Sequence, residues 1–250
     1  MTLRLETHGA QAHLIIDRAA KRNAFNQAMW ETLPGLVAQA MADEKVRVLV
    51  LRSAEPGVFC AGADIGELSA NAASPDWLLA NQTAINRAQF DLTRAVKPTI
   101  ALIDGDCVGG GCGLALACDL RVASARSRFG ITPAKLGLVY PLHDTKLLVD
   151  LVGPAAAKRI LFTGSLIDAA EAHRIGLIED IADNADTLID SMTSVSSHSQ
   201  RESKAMIRRI LDGKVADDDA TRALFAAAFS GADFKEGVSA FFEKRPPIFN

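Results

Sequence analysis

The chain has 250 residues, 49% of them hydrophobic, enough to fill the core of one large domain, or a domain with a small appendage, without disulfides or a structural metal. A formal net charge of −3 with no long block of like charge argues against nucleic-acid binding and against a basic membrane-binding surface. Met1 to Glu6 lack the apolar stretch of a signal peptide and no run approaches the roughly 18 residues of a membrane span, so a cytoplasmic protein without organelle targeting is expected.

Apolar runs at 3–6 and 13–17 open the chain as strands, and a helix over 27–42 follows, which Pro34 is expected to kink or divide. A strand over 46–52, a long helix over 76–96 and a strand over 99–103 come next. Glycines at 109–113 then open an apolar helical pattern, Leu114 to Ala117, ahead of a strand at 120–123. From Tyr140 the periodicity is mainly helical, near 143–151, 155–162, 168–173, 185–196, 200–211, 216–230 and 234–242, with one short apolar run at 177–181. This predicts an α/β core over 1–190 and a helical region over 191–250, closely packed because no low-complexity linker separates them. The recurrence of strand, turn and helix suits successive layers of a spiral.

Two segments carry the chemical signal: Val58-Phe59-Cys60-Ala61-Gly62-Ala63-Asp64-Ile65 and Val108-Gly109-Gly110-Gly111-Cys112-Gly113. Each places small residues where backbone N–H groups can face a ligand, and two amides converging on one oxygen make an oxyanion hole. A helix opening at Gly110 adds unpaired amides and a positive dipole end. Taken alone, the glycine run reads as a tight turn or a packing site; its pairing with 59–65 points to chemistry. Other chemistries fail on spacing. There is no G-x-G-x-x-G and no Walker lysine, His8, His13, His143, His173 and His198 show no H-E-x-x-H, and G-x-S-x-G is missing. Cys60, Cys107, Cys112 and Cys118 form no C-x-x-C pair and read as reduced core thiols.

Together the two segments resemble the crotonase superfamily, the enoyl-CoA hydratase/isomerase family, over nearly the whole chain. Asp17-Arg18 through Lys21-Arg22-Asn23-Ala24 is similar to that family's early CoA-contacting turn, Phe59 to Ile65 to its first oxyanion loop, and Asp104-Gly105 through Gly111 to its second. Cys118-Asp119-Leu120, Phe129-Gly130, Leu136-Gly137-Leu138, Gly153 through Gly164, and Phe234 through Pro246 continue the match. The resemblance implies a spiral of ββα units with a C-terminal helical trimerisation region, a homotrimer or dimer of trimers, and an acyl-CoA substrate, with coenzyme A part of that substrate and no separate cofactor. It implies that the N–H groups of Ala63 and Gly110 hold the thioester oxygen, that Ala61 meets the adenine, that Lys21 or Arg22 meets the CoA phosphates beside Ala24, and that Lys244, with Phe241 nearby, reaches the CoA of a neighbouring subunit. Without that context each basic residue reads equally as a solvated surface charge.

The chain departs from the two-glutamate pattern of the best-known hydratases. The first glutamate position is Gly113 and the second falls at about Pro133 or Ala134, neither able to move a proton. Tyr140, the only tyrosine, offers a phenol to a carboxylate or an enolate, or caps a core edge; its segment is similar to methylmalonyl-CoA-decarboxylase-type members, although Ala63 replaces their histidine and Gly113 their glutamate. His143 and Asp144 read as an acid/base pair or, more simply, Asp144 as a helix cap. Glu67 is a candidate base, Asp64 a loop-shaping residue, Cys112 a packed thiol, and Asp119 a turn stabiliser. The leading expectation is an acyl-CoA enzyme that stabilises an enolate, catalysing hydration, isomerisation or decarboxylation. The alternative is a CoA-thioester binding protein without turnover; a purely structural oligomer leaves the oxyanion segments unexplained.

Overall fold

The computed structural model describes residues 2–249. They form two compact units, one comprising residues up to Ala95 with Thr99–Ala185, the other Val96–Pro98 with the chain from Asp186 onward. In the first unit the elements run β1 (Leu3–His8), β2 (Gln11–Ile16), α1 (Gln27–Ala42), β3 (Val48–Ser53), β4 (Val58–Cys60), α2 (Ile65–Asn71), α3 (Pro75–Thr93), β5 (Thr99–Ile103), β6 (Asp106–Val108) and α4 (Gly110–Ala117). They continue with β7 (Leu120–Ala123), β8 (Arg128–Gly130), α5 (Leu142–Thr163), β9 (Ile167–Asp168), α6 (Ala169–Arg174) and β10 (Asp180–Ile181).

The strands belong to two sheets, ordered β1-β2-β3-β5-β7-β10 and β4-β6-β8-β9. The pairs β3/β4, β5/β6 and β7/β8 each give one strand to each sheet and then pass into helix, so the chain winds as a spiral of ββα units. Within each sheet the spiral's strands run parallel, with antiparallel pairing confined to β1/β2 and β8/β9. Asp104 ties the corners between sheets together. Its carboxylate accepts from Gly57 N at 2.8 Å, Ser124 Oγ at 2.7 Å and Arg126 Nε at 2.7 Å, and the Arg126 guanidinium holds its pKa down at about 2. The core packs Leu14, Ile16, Phe25, Trp30, Leu33, Leu49, Phe59, Ile103 and Leu114.

Pro34 does not divide α1, which runs unbroken through it. The proline forfeits one hydrogen bond to the Trp30 carbonyl, but burial of Trp30, Leu33 and Val37 on the same face outweighs that loss. The helices expected at 143–151 and 155–162 are two arms of α5, bent at Gly153, where φ is 73°. The second sheet lies beyond sequence periodicity, since strands of two or three residues carry no readable period. Helix α2 was likewise not expected; the Asp64 carboxylate starts it, accepting from Gly66 N and Glu67 N.

The second unit contains α7 (Asp186–Thr193), α8 (Ser197–Leu211), α9 (Asp219–Ala228) and α10 (Ala232–Glu243). Several of its large apolar side chains are exposed, among them Ile207, Ile210, Phe225, Phe229, Phe241 and Phe242. Among the described residues no helix is long and apolar enough to cross a membrane.

Candidate active site

The segment after β4 is fixed by a parallel bridge between Phe25 and Ala63. Phe25 N donates to Gly62 O at 2.7 Å and Asp64 N donates to Phe25 O at 2.8 Å. Because these bonds use the peptide groups on either side of it, Ala63 directs its own N–H and C=O away from Phe25. The start of α4 lies there: a side-chain carbon on Gly110 would sit 3.6 Å from Ala63 N, and one on Gly62 would sit 3.2 Å from Gly110 N. Gly110 is the first residue of α4, so its N–H has no acceptor within the helix. Gly109, with φ 57° and ψ −118°, takes a conformation that only glycine adopts readily, and its N–H bonds Gly130 O of β8 at 2.8 Å. The Ala63 and Gly110 amides thus sit side by side at the positive end of a helix, the arrangement an oxyanion hole requires.

One turn into α4, Gly113 is buried and makes room for three polar side chains. A Cβ there would lie 2.4 Å from Asp144 Oδ1, 2.4 Å from Gln89 Nε2 and 3.3 Å from the Tyr140 hydroxyl. Asp144 comes from the first turn of α5 and Gln89 from α3. Asp144 does not cap its helix: Pro141 holds that position, and the aspartate side chain turns inward with the residue 1% exposed. Burial pushes its carboxyl up to about 6, against the opposing pull of the Gln89 amide and its own backbone N–H. Asp144 Oδ1 and both polar atoms of Gln89 are buried without a well-formed hydrogen bond. Tyr140 donates to Gly109 O at 3.3 Å, and burial, reinforced by the Asp144 charge, raises its phenol well above the ordinary range, so it stays protonated.

Oxyanion segments and polar cluster open into one cavity of about 580 Å³. Ala61, Ala63, Gly110, Tyr140, Gln89 and Asp144 all line it, with walls of Leu68, Leu78, Ile85, Leu136, Leu138, Val139 and Leu142. Glu67 is not among the lining residues; its Oε2 accepts from Gln27 N at 2.8 Å, at the first turn of α1. That bond gives Glu67, the candidate base of the sequence, a structural role at the start of α1. Asp64 shapes the loop, paired with Arg18 at 2.8 Å, which holds its carboxyl below the usual range. Cys112 Sγ packs against Cys107 O at 2.9 Å, and Asp119 holds the start of β5 through Thr99 N at 2.8 Å.

Lys21, Arg22 and Ala24 lie on the turn beside the first oxyanion segment, where Ala61 N donates to Arg22 O at 3.0 Å. Arg22 pairs with Asp106 at 2.5 Å while its side chain stays 62% exposed, Lys21 is exposed and Ala24 is buried. Phe241 and Lys244 belong to the other unit, at the end of α10, with Phe241 exposed and Lys244 in the left-handed region at φ 52°. Sequence reasoning missed Gln89 entirely, and it ranked Asp144 as a cap. A buried glutamine on α3 and a small residue on α4 show their connection only in three dimensions.

A ββα spiral with paired backbone amides over an apolar cavity defines the class of crotonase-fold proteins. The model of the enoyl-CoA hydratase/isomerase family matches residues 6–250, and the chain belongs to that family. Its structure is similar to that of an enoyl-CoA hydratase/isomerase family protein from Hyphomonas neptunium, with 39% identity, a TM-score of 0.96, and 100% of this chain and 98% of that one covered. Among relatives, a crotonyl-CoA hydratase of Syntrophomonas wolfei is 33% identical over 98% of this chain and 96% of its own length. The mitochondrial methylglutaconyl-CoA hydratase of Mus musculus is 32% identical over 94% of this chain and 77% of its own.

Proposed function

We propose that this acyl-CoA enzyme moves a double bond by proton transfer, with Asp144 as its single acid/base and the Ala63 and Gly110 N–H groups as its oxyanion hole. The carrying observation is Asp144 itself: a buried carboxyl at about 6, in the space Gly113 leaves open, beside the paired amides. As carboxylate it takes a proton from the carbon next to the thioester carbonyl of a 3-enoyl-CoA. The electron pair moves onto the thioester oxygen, where two backbone donors stabilise the dienolate. The same carboxyl, now protonated, returns the proton to the distal carbon, giving the conjugated 2-enoyl isomer. A carboxyl near 6 suits both directions close to neutral pH.

Two-glutamate hydration has less support, because Asp144 is the one carboxyl among the described residues lining the cavity. Tyr140, donating to Gly109 O, polarises the peptide whose N–H belongs to Gly110 and so strengthens that donor. The reaction needs no group beyond the substrate's own thioester. Assembly as a trimer or a dimer of trimers is supported by the exposed apolar side chains of the second unit, and analytical ultracentrifugation tests it.

The test is to incubate the protein with 2-enoyl-, 3-enoyl- and 3-hydroxyacyl-CoA in D₂O and to follow isomers and mass. Interconversion of the enoyl isomers with deuterium uptake, lost in Asp144→Asn, supports the reading. Hydration that persists in Asp144→Asn, or binding without turnover of any thioester, defeats it; the second outcome would favour a non-catalytic acyl-CoA binder.

A further inference from the structure

We infer that the acyl subsite selects uncharged chains and rejects acyl groups bearing a second carboxylate. This rests on the acyl-CoA reading above but not on the reaction assigned to it. The far side of the cavity is aliphatic, formed by Leu68, Leu78, Ile85, Leu138 and Leu142, and its polar side chains other than Asp144 are neutral. Among the described residues lining it there is no lysine, arginine or histidine.

Three cations near the cavity in sequence or space, Arg18, Lys135 and Arg87, are not among its lining residues. Arg18 is paired with Asp64 at 2.8 Å. Lys135 follows the lining residues Thr132 and Pro133, yet its stem lies against Gly164 beyond α5, with Cγ at 3.3 Å and Cε at 3.4 Å from where a Cβ on that glycine would be. On α3, Arg87 lies 3.6 Å from Asp91. A carboxylate entering the cavity would lose its water, find no partner charge and face Asp144, and all three effects oppose binding. The same argument separates this chain from a methylmalonyl-CoA-decarboxylase-like activity, whose substrate carries its carboxylate next to the reacting carbon.

Calorimetric titration of the full-length protein with hexanoyl-CoA and with glutaryl-CoA tests the inference without turnover. Glutaryl-CoA is expected to bind at least about 30-fold more weakly at pH 7.5. Gln82 lines the cavity from the exposed side of α3. Gln82→Arg is therefore expected to tighten glutaryl-CoA binding about tenfold while weakening that of hexanoyl-CoA. Equal affinities in the wild-type protein overturn the inference. Binding of neither thioester overturns it together with the acyl-CoA reading, whereas discrimination without turnover on any enoyl-CoA overturns the proposed reaction alone.

Discussion

In one half of the cavity the groups we propose to act are backbone amides, held by a bridge to Phe25 and by the first turn of α4. In the opposite half they are side chains, Asp144, Gln89 and Tyr140, brought together from α3, α5 and the segment leading into α5. A backbone donor keeps its place under most substitutions, because every residue except proline carries an N–H. A side-chain acid does not, and it can be exchanged, moved to another helix or lost. On the proposed roles, one fold retains a way to stabilise an enolate while changing what is done with it.

The largest expected effect breaks the side-chain half alone. Asp144→Asn should lower kcat by about 10³-fold with little change in acyl-CoA affinity, within the usual range for a positioned acid/base. Steady-state kinetics alongside calorimetry checks this, and retention of kcat would move the proton transfer elsewhere. Breaking the backbone half comes next. Gly110→Pro deletes one amide donor at a helix position where proline is well accommodated, and should cost about 10²–10³ in kcat. A side-chain carbon at that position meets Trp30 Cζ2 at 3.3 Å, so circular dichroism must accompany the assay.

The space between the halves is sharpened by filling it. In Gly113→Ala the new methyl would lie 2.4 Å from both Asp144 Oδ1 and Gln89 Nε2, and the variant should lose about 1–3 kcal/mol of stability in urea denaturation together with most of its activity. Gly113→Glu should suffer at least as much without gaining hydratase activity, because the glutamate would compete with Asp144 for one place.

Stability should respond to pH through Asp144 with a definite sign. Its folded pKa of about 6 lies above the ordinary value, so the folded state keeps the proton that the unfolded chain gives up near pH 4. This contribution is fully present below pH 4, is lost as pH rises to about 6, and by pH 7 burial of the carboxylate costs about 2–3 kcal/mol. Asp144→Asn should therefore raise Tm at pH 7 and have little effect at pH 4, as expected where stability is traded for activity. A Tm gain independent of pH would show that the charge is not its source. The smallest effect belongs to Tyr140→Phe, which removes one neutral hydrogen bond to Gly109 O and should reduce kcat about fivefold with the pH profile unmoved.

Much of this molecule was legible in one dimension. Small residues at 61–63 and 109–111 leave the backbone open to a ligand, glycine at 109 meets a local φ requirement, and the longer strands and helices announce themselves by period. The family follows from such local patterns. Strands of two or three residues, the structural role of Glu67 at the start of α1, and the unbroken course of α1 through Pro34 depend on partners distant in sequence. The same holds for Asp144. Its sequence setting, at the start of a helix, describes a cap; only the packing of α5 against the glycine face of α4, with Gln89 of α3 completing the enclosure, takes the carboxyl out of water and shifts its pKa. Local pattern supplies the small residues of both backbone segments, whereas burial, which raises the Asp144 carboxyl, is a property of the assembled core.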